Sequence, residues 1–112
     1  MAGMDLANSR EASMKVKIGR FEKPMHAGDS SEADLFVDGE CVGTVFRQMR
    51  LDIESGRYLA ECYSAEVWQG DEILVLADEW VYRMNRQVQS PSQAKAAIKR
   101  SVAGLFRAEA AA

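Results

Sequence analysis

The residues of this 112-residue chain that could do chemistry are few. The single histidine, His26, stands in "PMHAGDSS" beside Asp29, Ser30 and Ser31. Serine, histidine and aspartate act as nucleophile, base and orienting acid only when the fold sets them in the right geometry. Neighbours in one polar loop do not meet that requirement, so no catalytic residue is expected and the chain reads as a non-enzyme. Glu61 and Glu66 lie in an alternating segment and are expected on its solvent side. Asp29, Glu32, Asp34 and Asp38 lack the spacing and terminal glutamate of a calcium loop. "VDGECVG" carries Gly39 and Gly43 without the strand-to-helix setting of a phosphate loop. Two cysteines, Cys41 and Cys62, one histidine and no C-x-x-C leave no zinc spacing. No metal and no cofactor is expected. Both cysteines sit in apolar, strand-like segments and are expected as small buried hydrophobes in a reducing compartment.

Binding chemistry is better represented. Met1 to Glu79 holds eight Lys/Arg against sixteen acids, about −8 by sequence counting. Trp80 to Arg107 holds six bases and no acid, about +6. Such a split implies either a basic helix lying against an acidic sheet rim or a basic face left for an external anion. The candidate binding residues are Arg83, Arg86, Lys95, Lys99 and Arg100, with two aromatics. Trp68, next to Gln69-Gly70, stands nearest a loop. Exposed together with Tyr82 and Arg83, it would make a protein-binding hot spot or a base-stacking platform. All nine aromatics, Phe21, Phe36, Phe46, Tyr58, Tyr63, Trp68, Trp80, Tyr82 and Phe106, are nonetheless expected mostly in the core, and for Trp68 the core is the preferred reading.

The elements that must position these residues read as follows. "MKVKIGRFE" (14–22) alternates as a half-buried strand, and "KPMHAGDSS" is a loop. Two β-rich runs, Ala33 to Val37 and Cys41 to Met49, flank Asp38-Gly39, a strong hairpin signal. Ser55-Gly56 turns the chain into a fourth strand, Arg57 to Trp68, which Gln69-Gly70-Asp71 ends. Residues 71–88 are open between a helix capped by Asp71 and strands turning at Asp78-Glu79. Their Ile, Val, Trp and Tyr content favours strands. From Gln89 to Arg107 the chain reads as a helix. Ser90-Pro91-Ser92-Gln93 is a capping box with proline in the first turn. Ala94, Ile98, Ser101 and Leu105 form its apolar stripe, flanked by Ala97 and Val102.

Ser90, Ala94 and Lys95 resemble a fragment of the last helix of double-stranded-RNA-binding domains. That family carries a lysine pair directly after the serine, where this chain has Pro91 and Ser92. Its helix–strands–helix order also differs from the strand-first order here, so no membership is read from the resemblance.

These readings give one small α+β domain, an antiparallel sheet of four to six strands packed against one C-terminal helix. The expected boundaries are a flexible leader at 1–13, the domain at 14–107 and a frayed tail at 108–112. No apolar run approaches the roughly 20 residues that cross a bilayer, and no secretory signal opens the chain, so no membrane role and a cytoplasmic location are expected. The functional expectation is a binding or accessory module acting through protein–protein contacts or self-association. Compact chains of this kind are common among accessory genes of bacteria and their phages, where regulators or inhibitors of larger complexes occur. The alternative is a nucleic-acid-binding domain using the basic C-terminal third.

Overall fold

The computed structural model describes residues 14–23 and 30–111. His26 and Asp29 lie outside them. The fold is a single α+β domain. Seven strands run in chain order: β1 (Val16–Ile18), β2 (Ser31–Val37), β3 (Glu40–Leu51), β4 (Tyr58–Gln69), β5 (Glu72–Val75), β6 (Glu79–Arg83) and β7 (Arg86–Gln87). One helix, α1 (Pro91–Ala111), follows. The antiparallel sheet has the order β1-β2-β3-β4-β6-β7, with β5 also paired to β4.

Each turn has a local cause. Asp38 and Gly39 both take positive φ, the mirror-image turn that suits the twist of a two-residue hairpin. Gly70, at φ 60, does the same at the first central position of the β4–β5 turn. Between β3 and β4, the Asp52 carboxylate accepts the Glu54 N–H and the Ser55 hydroxyl, and its carbonyl accepts the Gly56 N–H at 2.8 Å.

Residues 71–88 form strands, but no hairpin turns at Asp78-Glu79. β5 and β6 lie end to end along β4, from Gln69↔Glu72 to Glu61↔Tyr82. The reversal comes later, at Met84-Asn85, where both residues take positive φ without a glycine.

Cross-strand rows define two faces. Leu35, Gly43, Val67 and Leu74 align in one row, and Ala33, Val45 and Ala65 in the next. On this face α1 packs, and Leu35, Val45, Val67 and Val81 are fully buried with Ile98 and Val102. Burying Ile98 and Val102 contributes about 2 kcal/mol each. The helix stripe therefore runs Ala94, Ile98, Val102; Ser101, expected within it, is exposed. The capping box forms as read, with Gln93 N–H on Ser90 Oγ at 3.1 Å and Ser90 N–H on Gln93 Oε1 at 2.8 Å. Gly43 is the point of closest approach: a Cβ there would run into the Glu66 carbonyl on β4.

Candidate functional site

The middle of β4 carries a buried polar cluster. Arg47 sits opposite Tyr63 and reaches diagonally to Glu61, Nη2 to Oε2 at 3.0 Å. The Glu61 side chain is 4% exposed and that of Arg47 31%. Glu61 is thus the correction to its expected place on the solvent side. Burial opposes the Arg47 charge, but the Glu61 hydrogen bond, helped by the fields of Tyr63 and Glu61, raises its pKa overall. Burial also raises the Tyr63 phenol; Arg47 opposes the rise and Glu61 adds to it. Burial raises the Cys62 thiol too, aided by the negative charges of Asp78 and Glu61. Cys62 is buried and free, as expected of a small hydrophobe, whereas Cys41, also free, is exposed. Phe21 meets the Tyr63 ring edge-on at 5.6 Å, and Lys95 lies over both rings at 5.5 and 5.7 Å, while the buried Arg47 Nε has no hydrogen-bond partner among the described residues. Its charges are matched, which gives it a packing role.

The expected binding residues do not converge. Trp68 pairs with Ile73 near the β4–β5 turn, while Tyr82 pairs with Glu61. Seven residues of strand separate them, about 24 Å. Arg83 lies over the Trp80 ring at 5.2 Å and sits directly opposite Arg86. Lys95 is taken up by Phe21 and Tyr63. Lys99 and Arg100 are exposed on the solvent side of α1. Among the described residues, none of these five bases forms an ion pair; the only one there is Arg47–Glu61. Within the same residues, no three His, Cys, Asp or Glu side chains converge as metal ligands, and Asp38 Oδ1 instead accepts the Lys15 N–H at 2.9 Å. No described helix is long and apolar enough to cross a membrane.

Two regions at the ends of the long β4 hairpin stand out instead. At the turn end, all of β5 is exposed. Ile73 is 60% and Val75 70% exposed, and Trp68 beside them 46%. Glu66 stands directly opposite Val75, and Asp71 and Asp78 flank the strand in the chain, while Glu72 lies on the face of Leu74. In the β4–β5 ladder, Glu72, Leu74 and Leu76 face β4, the last donating to the Ala65 carbonyl at 2.9 Å. The alternation of an antiparallel pair therefore turns the N–H and C=O of Ile73 and Val75 away from β4. No described strand meets them. At the other end, the chain closes its own edge: Val88 N–H reaches the Val81 carbonyl at 2.8 Å, and Gln89 Nε2 the Trp80 carbonyl at 2.8 Å. Around that closed edge lie Tyr58, stacked on Tyr82 at 5.8 Å, and Arg57, Arg83 and Arg86.

Sequence reasoning missed β5 as an interaction element. The signal was present in "EILVLADE", an apolar run with acids at both ends and no glycine or proline. Comparison with protein-family models, curated proteins and solved structures finds no match to this chain.

Proposed function

We propose that the protein is a non-enzymatic binding module that captures an extended segment of a protein partner by adding it as a strand to β5. The observation that carries this reading is the open, apolar edge of β5. Unpaired strand edges are templates for further pairing, and proteins ordinarily blunt them with lysine, proline or a covering loop. Among the described residues β5 meets no lysine, proline or covering segment; it is four residues long and begins with Glu72, and Ile73, Val75 and Trp68 offer apolar contact beside the unpaired backbone groups. In strand addition, main-chain hydrogen bonds give affinity and alternate side chains give specificity. Glu66 opposite Val75, with Asp71 and Asp78 flanking the strand in the chain, favours a segment in which basic residues alternate with apolar ones. A module of this kind acts by occupying a partner's strand, as a regulator or inhibitor of a larger complex would.

The test is selection of displayed random 12-residue peptides on the immobilised protein. Enriched peptides should alternate apolar and basic residues. Ile73→Pro removes only an outward-facing N–H, and Val75→Lys adds the charge that blocks edges. Each should weaken peptide binding at least tenfold while leaving stability within about 0.5 kcal/mol. Absence of enriched peptides, or equal binding by both variants, would refute the reading.

A further inference from the structure

The open edge of β5 is complementary to itself. Ile73 and Val75 turn their N–H and C=O groups outward, and Leu74 between them bonds back to Val67 on β4. A second β5 can lie alongside in the antiparallel sense, with a two-fold axis at Leu74. Ile73 then stands opposite Val75 of the second copy, and Val75 opposite its Ile73. The two pairs exchange four backbone hydrogen bonds, which satisfies every outward group of both residues in each copy.

The side chains match in the same register. Ile73 meets Val75 on the face away from α1, and Leu74 meets Leu74 on the face of α1. In one copy these residues are 60, 70 and 39% exposed in the order Ile73, Val75, Leu74, so pairing covers apolar surface on both faces at once. The acids do not oppose it. Glu72 falls opposite Leu76 and Asp71 opposite Ala77, so no acid stands directly across from another. The neighbouring two-fold registers are worse. A slip of two residues one way sets Glu72 against Leu74 and Asp71 against Val75. A slip the other way sets Glu72 against Asp78, and like charges directly opposite repel. The helix is no obstacle, because α1 packs over β1, β4 and β6 and lies back from the seam. Two four-residue strands make a small seam, in the class of weak, transient contacts that bury less than about 1,200 Å². A two-fold contact of this kind also closes on itself, so the open edge ends in a dimer and not in a growing fibre.

We propose that β5 pairs with β5 of a second copy of this chain about a two-fold axis at Leu74, and that this weak dimer masks the edge that captures a partner's strand. The masking rests on the strand-capture reading. One edge cannot hold two occupants, so a captured segment dissociates the dimer, and a high concentration of the protein holds its own binding edge closed.

Sedimentation equilibrium from 1 to 500 µM tests the pairing, with monomer expected at the low end and dimer at the high end. The register is read by cross-linking in a Cys41→Ser background, since Cys41 is the exposed free thiol and Cys62 is buried. With oxidised glutathione, Leu74→Cys should form an intermolecular disulfide, because the two Leu74 positions lie about 4.5 Å apart between Cα atoms. Ile73→Cys should not, because its two copies are offset by two residues, roughly 8 Å apart and beyond disulfide reach. A saturating peptide from the display selection should lower the Leu74→Cys yield at least fivefold. The proposal is overturned if the protein is monomeric at 500 µM, if both cysteine variants cross-link equally, or if the saturating peptide leaves the dimer intact. Peptide capture is read separately at 1 µM, where the chain is monomeric. Capture there with no dimer at 500 µM sinks the dimer alone, and a register-specific dimer with no enriched peptide sinks capture and its masking but leaves the pairing.

Discussion

β5 and β6 border the same strand, β4, yet one leaves its outer edge open and the other has it closed within eight residues. At β6 the chain doubles back, and Val88 and Gln89 satisfy the carbonyls of Val81 and Trp80. At β5 no described segment returns. Charge differs between the two as well: Glu66 faces Val75, while Arg57 lines a cleft with Tyr58 and Tyr82 and Arg83 faces Arg86. Openness at β5 is therefore not what this chain does with strand edges in general. The same stretch of sequence contains the means to cover an edge and applies it to one half only. The two ends differ accordingly: unpaired backbone and apolar side chains at β5, a closed edge, an arginine laid on Trp80 and stacked tyrosines at β6–β7.

What joins the two ends is the buried middle of β4, and that is where the comparison can be broken. The largest effect is expected at Gly43. Gly43→Ala sets a methyl against the Glu66 backbone, which cannot move as a flexible side chain would. A loss of about 4 kcal/mol or more is expected, read as a collapsed urea midpoint, and binding at β5 should be lost with it. An unchanged midpoint would mean that β3 can shift away from β4. Next comes Arg47→Ala, which leaves Glu61 buried without its counter-charge. A cost of about 3 kcal/mol is expected, at the low end for a broken buried pair because Arg47 is partly solvated. The double variant Arg47→Met/Glu61→Leu should cost less than the single one. If it costs more, the pair itself stabilises the sheet beyond what apolar packing can replace.

The smallest effect is alkaline. Burial raises the pKa of both Cys62 and Tyr63. In the unfolded chain these groups ionise near pH 8.5 and 10. Above those values the unfolded chain releases protons that the fold retains, so stability is full below about pH 8.5 and falls as pH rises towards the folded values. Thermal melts from pH 7 to 10.5 should show the fall, and Cys62→Ala should remove its first part. A flat profile would show that neither group is held neutral.

Much of the scaffold was legible because its causes are local. Asp38-Gly39, Gly70 and the Ser90–Gln93 box each fix a turn or a cap through residues a few positions apart. The rest depends on non-local pairing. Glu61 alternates as a solvent-facing residue would, and only Arg47 on the neighbouring strand makes its burial tolerable. Met84-Asn85 carries no turn signature, so the hairpin was displaced to the acidic Asp78-Glu79. The binding surfaces were the least legible. Whether the five bases converge was open as long as residues 71–88 were, and the pairing of β6 with β4 and the turn into α1 keep them apart. Residue type showed that charge was available; strand register decided which aromatics it meets.

The two tryptophans lie apart along β4: Trp68 pairs with Ile73 near the β4–β5 turn, and Trp80 on β6 pairs with Cys62. Trp68 stands among acids, and Trp80 lies beneath the Arg83 guanidinium. Their fluorescence is consequently separable by the sign of a dissolved quencher. Iodide should be drawn to the arginine end and dim Trp80 first, and caesium should be drawn to the acidic end and dim Trp68. The protein thus carries its own pair of optical probes, one for each region, and an occupant of the β5 edge should be visible at Trp68 without any label.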